Sequence, residues 1–306
     1  MLLPITKSII LIICILLSVA FLTLFERKVL SYSQSRKGPM KVGFKGVFQP
    51  FSDALKLLSS ELIFPFMMNY LVFILAPVIS LSLMLILWCV FPSSLGLNEI
   101  NLSIIFFMCC LSAGVYPLLG AGWASNSKYA ILGSLRAVAQ TISYEVSFSI
   151  ILLSFVILII SFDLEIFVSM STSWLIFSAP PLAMIWFISS LAETSRTPFD
   201  FSEGESEIVS GYNTEYSSGP FVLYFLAEYG SILFMSFIFS LIFLGGDDLS
   251  LFFFIKICLV LFLFVWVRTT LPRLRYDKLM NLAWTIFLPI SLAYLLFFVG
   301  LVSLMF

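Results

Sequence analysis

The sequence predicts an all-α, polytopic membrane protein. Three observations carry that prediction: apolar runs long enough to cross a bilayer, basic residues confined to alternate loops, and a composition outside the soluble range. With 61% hydrophobic and 11% charged residues and a mean hydropathy of +1.10, the 306 residues carry more apolar surface than a soluble core would bury. A hydrocarbon layer of roughly 30 Å needs about 20 apolar residues per helix. Eight segments meet that length, near residues 4–25, 69–91, 101–121, 135–162, 173–192, 219–244, 249–267 and 280–302. Of the 16 Lys and Arg, all but Lys7 and Lys256 fall in four stretches: 27–56, 128–136, Arg196, and 268–278. The loops between them carry only acids, Glu99, then Asp163 and Glu165, then Asp247 and Asp248. Because short loops rich in Lys and Arg stay on the side of negative potential, the four basic stretches face the cytoplasm or the mitochondrial matrix. An even number of crossings puts both termini on the opposite side.

The first apolar run is too long for a secretory signal, and Glu26-Arg27-Lys28 behind it reads as a stop-transfer anchor, so it is expected to remain in the protein. From Pro50 to Ser59 the apolar Phe51, Ala54, Leu55 and Leu58 recur at helical spacing, with Ser52, Asp53 and Lys56 opposite. Pro50 suits a first helical position, where its missing N–H is not needed. This segment is expected to lie along the interface as an amphipathic helix, either bordering an opening or sealing the bundle. Pro92, Asn98, Gly245-Gly246 and Pro272 punctuate later turns. No linker or shift in composition divides the chain, so residues 1–306 are expected to form a single transmembrane helical domain.

Composition also excludes whole classes of function. A net charge of -1 gives no nucleic-acid surface. The five cysteines lie in apolar runs at no metal-ligand spacing and are expected to be small buried hydrophobes. There is no histidine to serve as a haem or zinc ligand, and no glycine-rich nucleotide fingerprint. No metal site is expected, and any NADH, flavin or iron–sulfur chemistry is assigned to another polypeptide.

The informative residues are acids inside apolar segments: Glu145 in the fourth, Glu193 at the end of the fifth and Glu228 in the sixth. An ionised side chain at bilayer depth costs roughly 2.5–3.5 kcal/mol even on the gentler insertion scale, so these acids turn inward, towards one another, a cation or a hydrated cavity. There they suit proton exchange; the plainer reading is a set of buried ion pairs, for instance Arg136 with one of them. After the fifth segment, Thr197 before Pro198 ends the helix by Arg196 and releases a loop holding Asp200, Glu203, Glu205, Glu207 and Glu215. These acids alternate with Phe199, Phe201, Ile208 and Val209. The loop is therefore expected to pack, with Arg27, Arg36, Arg273 and Arg275 as its basic complement.

The blocks FLTLFERKVLSYSQSRKGPMKVG, QPFSDALKL, AGWASNSKYAILGSLRAVAQTISYEVS, AETSRTPFDFSEGESEIVSGYNTEY, FLAEY and RTTLPRLRYDKLMNLAW cover the loops on the negative side and most helix beginnings. Together they resemble the subunit 1 family of NADH dehydrogenase, a membrane subunit of respiratory complex I at its junction with the peripheral arm. Ser31, Met40 and Ser195 depart from the usual residues of the family, and none of them removes a charge. The resemblance implies a subunit of the proton-translocating NADH:ubiquinone reductase that forms much of the ubiquinone access chamber and links quinone reduction to proton translocation. It implies a chamber bordered by Arg27, Arg36, Phe51, Asp53, Phe225, Tyr229 and Arg275. An acidic coupling loop is implied at Arg196, Asp200, Glu203, Glu205 and Glu207, with a proton path at Glu145, Glu193 and Glu228.

By the same resemblance no redox-catalytic residue lies in this chain, and the second to sixth helices repeat the five-helix unit of antiporter-like subunits. Ubiquinone is the substrate of the whole complex, and the partners are the quinone-site subunits of the peripheral arm, neighbouring membrane-arm subunits and membrane lipid. Two alternatives are the junction subunit of a membrane-bound hydrogenase-like complex and a stand-alone cation or proton transporter; the FERK and RKGP blocks speak against the first. Thirty-four Phe, no His and little sequence beyond the apolar runs suit an organelle-encoded chain of the mitochondrial inner membrane, its termini on the intermembrane-space side; a bacterial plasma membrane is the other setting.

Overall fold

The computed structural model describes residues 2–92, 100–170, 174–201, 204, 209–246 and 250–305. Every regular element among them is helical. The helices are α1 (Leu2–Ser33), α2 (Gln49–Leu58), α3 (Tyr70–Leu87), α4 (Ser103–Ala113), α5 (Val115–Ser125), α6 (Lys128–Ile159), α7 (Leu164–Met170), α8 (Pro180–Glu193), α9 (Ser218–Phe243), α10 (Leu251–Thr270), α11 (Tyr276–Asn281) and α12 (Leu288–Met305).

Among the described residues, seven helical stretches are long and apolar enough to cross a membrane, with α4 and α5 counting together and α11 running through a π-helical segment, Leu282–Phe287, into α12. The expected eighth is shorter than its apolar run suggests. Residues 174–179 form turns, and α8 begins only at Pro180, giving 14 residues or roughly 21 Å of helix. Two prolines explain the late start: Pro180 and Pro181 lack N–H groups, which suits a first turn and no interior position. The third expected segment breaks at Gly114 between α4 and α5.

The centre of the bundle is α9, buried at nearly every position from Tyr229 to Phe243. Trp186 of α8 stacks on Phe148 of α6 with ring centroids 3.9 Å apart, and Phe155 meets Phe243 edge-on at 5.0 Å. Where α9 meets α3, Met84 fills the room left by Gly230: a Cβ there would lie 2.4 Å from Met84 Cε, and the methionine side chain would have to move. Serine hydroxyls within the helices donate to carbonyls one turn back, as Ser154, Ser236 and Ser240 do, which satisfies their own polar hydrogens in an apolar setting. The outer faces of α1, α10 and α12 keep large apolar residues exposed. For a helix in lipid, burial against protein is not required. The cysteines follow this rule and correct the expectation of burial: Cys14, Cys89, Cys109 and Cys258 are exposed on the outer surface, and only Cys110 is buried.

Lys256, an exception to the basic-loop pattern, is buried, and its Nζ donates to the carbonyls of Leu244 at 2.6 Å and Gly245 at 3.3 Å. It thereby caps the negative end of α9, a use of Lys at a helix C-terminus that is independent of topology.

Candidate functional site

At roughly 48 Å, the 32 residues of α1 exceed the hydrocarbon thickness, so its last turns emerge at the boundary on the basic side. Glu26 and Arg27, adjacent in sequence, point about 100° apart there and meet different partners. Glu26 turns inward and pairs with Arg268 of α10. Arg27 turns towards α2, its Nη1 2.5 Å from Asp53 Oδ2, while Gln49 Nε2 donates to Asp53 Oδ1 at 2.8 Å. Opposite these pairs, Phe221, Phe225 and Tyr229 repeat every fourth residue on one face of α9. The two ion pairs and the aromatic face enclose a cavity of about 470 Å³ between α1, α2, α9 and α10.

Of the expected chamber residues, Arg27, Asp53, Phe225 and Tyr229 line this cavity. Phe51 does not: it lies on the outer side of α2, edge-on to Phe21 with centroids 6.1 Å apart. Arg36 lies in the exposed segment after α1, where its backbone N–H donates to Ser31 O at 2.7 Å. Arg275 is also exposed and pairs with Asp277 at 3.0 Å.

Behind the cavity wall, Arg196 is buried, and its guanidinium sits over the Tyr229 ring, 4.4 Å from the centroid. Arg196 shares a void of about 20 Å³ with Glu26 and Arg268, which also face the larger cavity. Its Nη2 lies 3.6 Å from Glu228 Oε2, and the Tyr212 hydroxyl donates to Glu228 Oε1 at 2.5 Å. Glu228 in turn lines a second cavity of about 130 Å³, together with Glu193, Thr141 and Tyr212. Glu145 lies within electrostatic reach of Glu193. Glu228 and Glu193 therefore share one cavity, Glu145 of α6 lies near Glu193, and the cation beside Glu228 is Arg196.

The acidic loop is tied down at its described end. Arg273 Nη2 binds Asp200 Oδ2 at 3.0 Å, and Leu274 N–H donates to Pro198 O at 3.1 Å. The buried Gln140 of α6 donates through Nε2 to the carbonyls of Ala192 and Phe199, both at 2.8 Å, closing the end of α8. Of the four arginines expected to complement this loop, Arg273 meets Asp200, whereas Arg27 and Arg275 pair elsewhere. Glu203, Glu205 and Glu207 lie outside the described residues. Just beyond, Tyr216 stacks on Phe73 at 4.2 Å; burial pushes its phenol up to about 12, so it stays a neutral donor to Phe73 O at 3.2 Å.

Glu26, Arg268, Gln140 and Tyr212 belong to this arrangement without having been singled out as site residues. Glu26 carried a signal, being a carboxylate at the very end of an apolar run. Its partner stands 242 residues away, a distance that helix periodicity does not bridge.

Comparison with known proteins gives one result throughout. The pattern of the family described as NADH dehydrogenase matches residues 6–299. The chain is 58% identical over 299 residues to NADH-ubiquinone oxidoreductase chain 1 of Anopheles gambiae, covering 97% of this chain and 95% of the relative. It is 60% identical over 292 residues to the protein of that name from Locusta migratoria, with 95% and 93% covered. Against that of Lampetra fluviatilis the identity is 48% over 301 residues, with 96% and 94% covered.

Proposed function

The chain belongs to the NADH dehydrogenase family, and we propose that it is the membrane subunit of an NADH–ubiquinone oxidoreductase that shapes the approach of ubiquinone and passes the consequence of its reduction to a proton path. The observation that carries this reading is the cavity of about 470 Å³, apolar along α9, charged along α1 and α2, and joined through Arg196 to Glu228. Such a cavity suits an amphipathic ring on a long apolar tail: Phe221, Phe225 and Leu226 contact the apolar part, and Arg27 with Asp53 marks the polar boundary.

The coupling is electrostatic. A quinone that gains electrons demands protons and places negative charge in a poorly solvated space. At an effective dielectric of about 20, two unit charges about 8 Å apart interact by about 2 kcal/mol, which moves a proton equilibrium by more than tenfold. The Glu26–Arg268 pair stands between the cavity and Arg196, and Arg196 holds Glu228. A change of charge on the cavity side alters the attraction of Arg196 for Glu228 and hence its proton occupancy, and the shared second cavity extends the effect to Glu193 and then Glu145. Asp200, with Glu203, Glu205 and Glu207 of the same sequence stretch, is assigned to coupling with the peripheral arm, where other subunits supply the redox centres. Residues 1–306 act as one unit in the mitochondrial inner membrane; α8 with the turns of residues 174–179 makes the eighth crossing, which puts both termini on the intermembrane-space side.

Phe225→Glu in the assembled complex tests the reading. The KM for a short-chain ubiquinone is expected to rise by on the order of fivefold or more, while NADH oxidation by an artificial acceptor that bypasses quinone stays at its normal rate. An unchanged KM in a normally assembled complex would remove this cavity from the quinone route.

A further inference from the structure

Glu228 is held by two groups of different kind and different origin. Arg196, from the loop after α8, approaches Oε2 at 3.6 Å, and the Tyr212 phenol donates to Oε1 at 2.5 Å. Tyr212 is the middle residue of a 3-10 turn, Gly211–Asn213, that lies directly on α6. That seat exists because two glycines meet. Gly211 has φ 57°, a conformation in which side chains are strained, and a Cβ on Gly133 of α6 would lie 2.7 Å from Gly211 Cα and 3.0 Å from Tyr212 N. The Tyr212 ring is buried edge-on against Tyr224 with centroids 5.5 Å apart, and the residue lines the cavity that Glu228 shares with Glu193.

We infer that Tyr212 is a positioning residue for Glu228: its hydroxyl holds one carboxylate oxygen at the wall of the second cavity while Arg196 holds the other, and the Gly133–Gly211 contact sets the height of the phenol. The inference rests on the reading of Glu228 as a proton-path group. A phenol is suited to this place because it donates to a carboxylate without carrying charge itself, so it fixes the geometry and leaves the electrostatic response to Arg196. Among the described residues, the other charged or titratable groups around Glu228 include Arg196, Asp200 and Tyr224, with Glu193 on the same cavity.

Tyr212→Phe tests it in the assembled complex, since the ring and its contact with Tyr224 are retained and only the hydroxyl is lost. Assembly is expected to be normal, with kcat for quinone-linked NADH oxidation lower by on the order of tenfold and KM for ubiquinone within about twofold of normal. Combined with Glu228→Gln, Tyr212→Phe is expected to add no further loss, because a residue that acts through Glu228 has nothing left to act on. Wild-type kcat, a change confined to KM, losses that multiply in the double variant, or failure of Tyr212→Phe to assemble would each overturn the positioning role. The two readings fail separately. If Glu228→Gln alone retains full quinone-linked pumping, the proton-path reading is lost; if Glu228→Gln is defective and Tyr212→Phe is not, only the role of Tyr212 is lost.

Discussion

Two arginine–carboxylate pairs, one at the rim of the large cavity and one behind its wall, use the same chemistry in opposite settings. Arg27 and Asp53 are 51% and 32% exposed, and their attraction is shared with solvent and salt. Arg196 and Glu228 are 10% and 18% exposed, and Glu228 lines the second cavity. Between them stands Glu26–Arg268, buried on its acidic side and 32% exposed on its basic side. The gradient teaches that position, and not residue type, assigns the roles. In the proposed reading, a screened pair at the rim orients the ligand at low energetic cost, whereas a buried pair responds strongly to any nearby change of charge.

The comparison breaks first at Glu228. Glu228→Gln keeps the volume and can still accept from Tyr212, but it cannot exchange a proton. Quinone-linked turnover and proton translocation are expected to fall together by more than about tenfold, while NADH oxidation by an artificial acceptor continues. Proton translocation measured in reconstituted vesicles checks this. Full pumping would make the buried pair structural and leave the two settings without a functional difference.

The middle pair is expected to act mainly on assembly. Arg268→Gln leaves Glu26, 7% exposed in its side chain, without the cation that faces it. Breaking a buried pair by removing one partner costs roughly 3–5 kcal/mol, and partial exposure of Arg268 places this case at the lower end. Thermal stability of the purified complex should therefore drop, and restoring a cation with Arg268→Lys should recover most of it. Equal stability of Arg268→Gln and wild type would mean that Glu26 is neutral or hydrated in the assembled protein.

These three pairs were not equally legible in the sequence. Glu228 and Glu193 stand out because a carboxylate in an apolar run demands a reason, and that demand is independent of fold. Asp53 could be placed on the polar face of α2 because ten residues suffice to define a helical periodicity. Tyr212 could not be singled out, since a tyrosine in a polar loop is ordinary until Gly133 and Gly211 bring the backbones together. Glu26 and Arg268 are each visible, but only the packing of α1 beside α10 makes them a pair. The shortened α8 was available locally, in Pro180-Pro181, and was outweighed by the apolar run in which those prolines sit.

The smallest effect belongs to the rim. Arg27→Gln removes a pair about half exposed on its basic side, and exposed pairs contribute about 0.2–1 kcal/mol, so assembly and thermal stability should change little. Gln49 still donates to Asp53, which keeps the carboxylate oriented after the arginine is gone. What remains to be lost is long-range attraction at the mouth of the cavity. The KM for ubiquinone should rise by no more than about threefold at low ionic strength, and the difference from wild type should shrink as salt is raised and the screening length falls to about 8 Å or less. The Arg268→Gln defect, by contrast, should keep its size across the same salt series because its carboxylate is out of reach of the screening ions. KM and thermal stability measured for both variants over one salt titration decide the matter. A salt-insensitive Arg27→Gln defect as large as that of Arg268→Gln would place the rim pair under cover of another subunit in the assembled complex, and the contrast between screened and buried pairs would then lie deeper in the chain than α1.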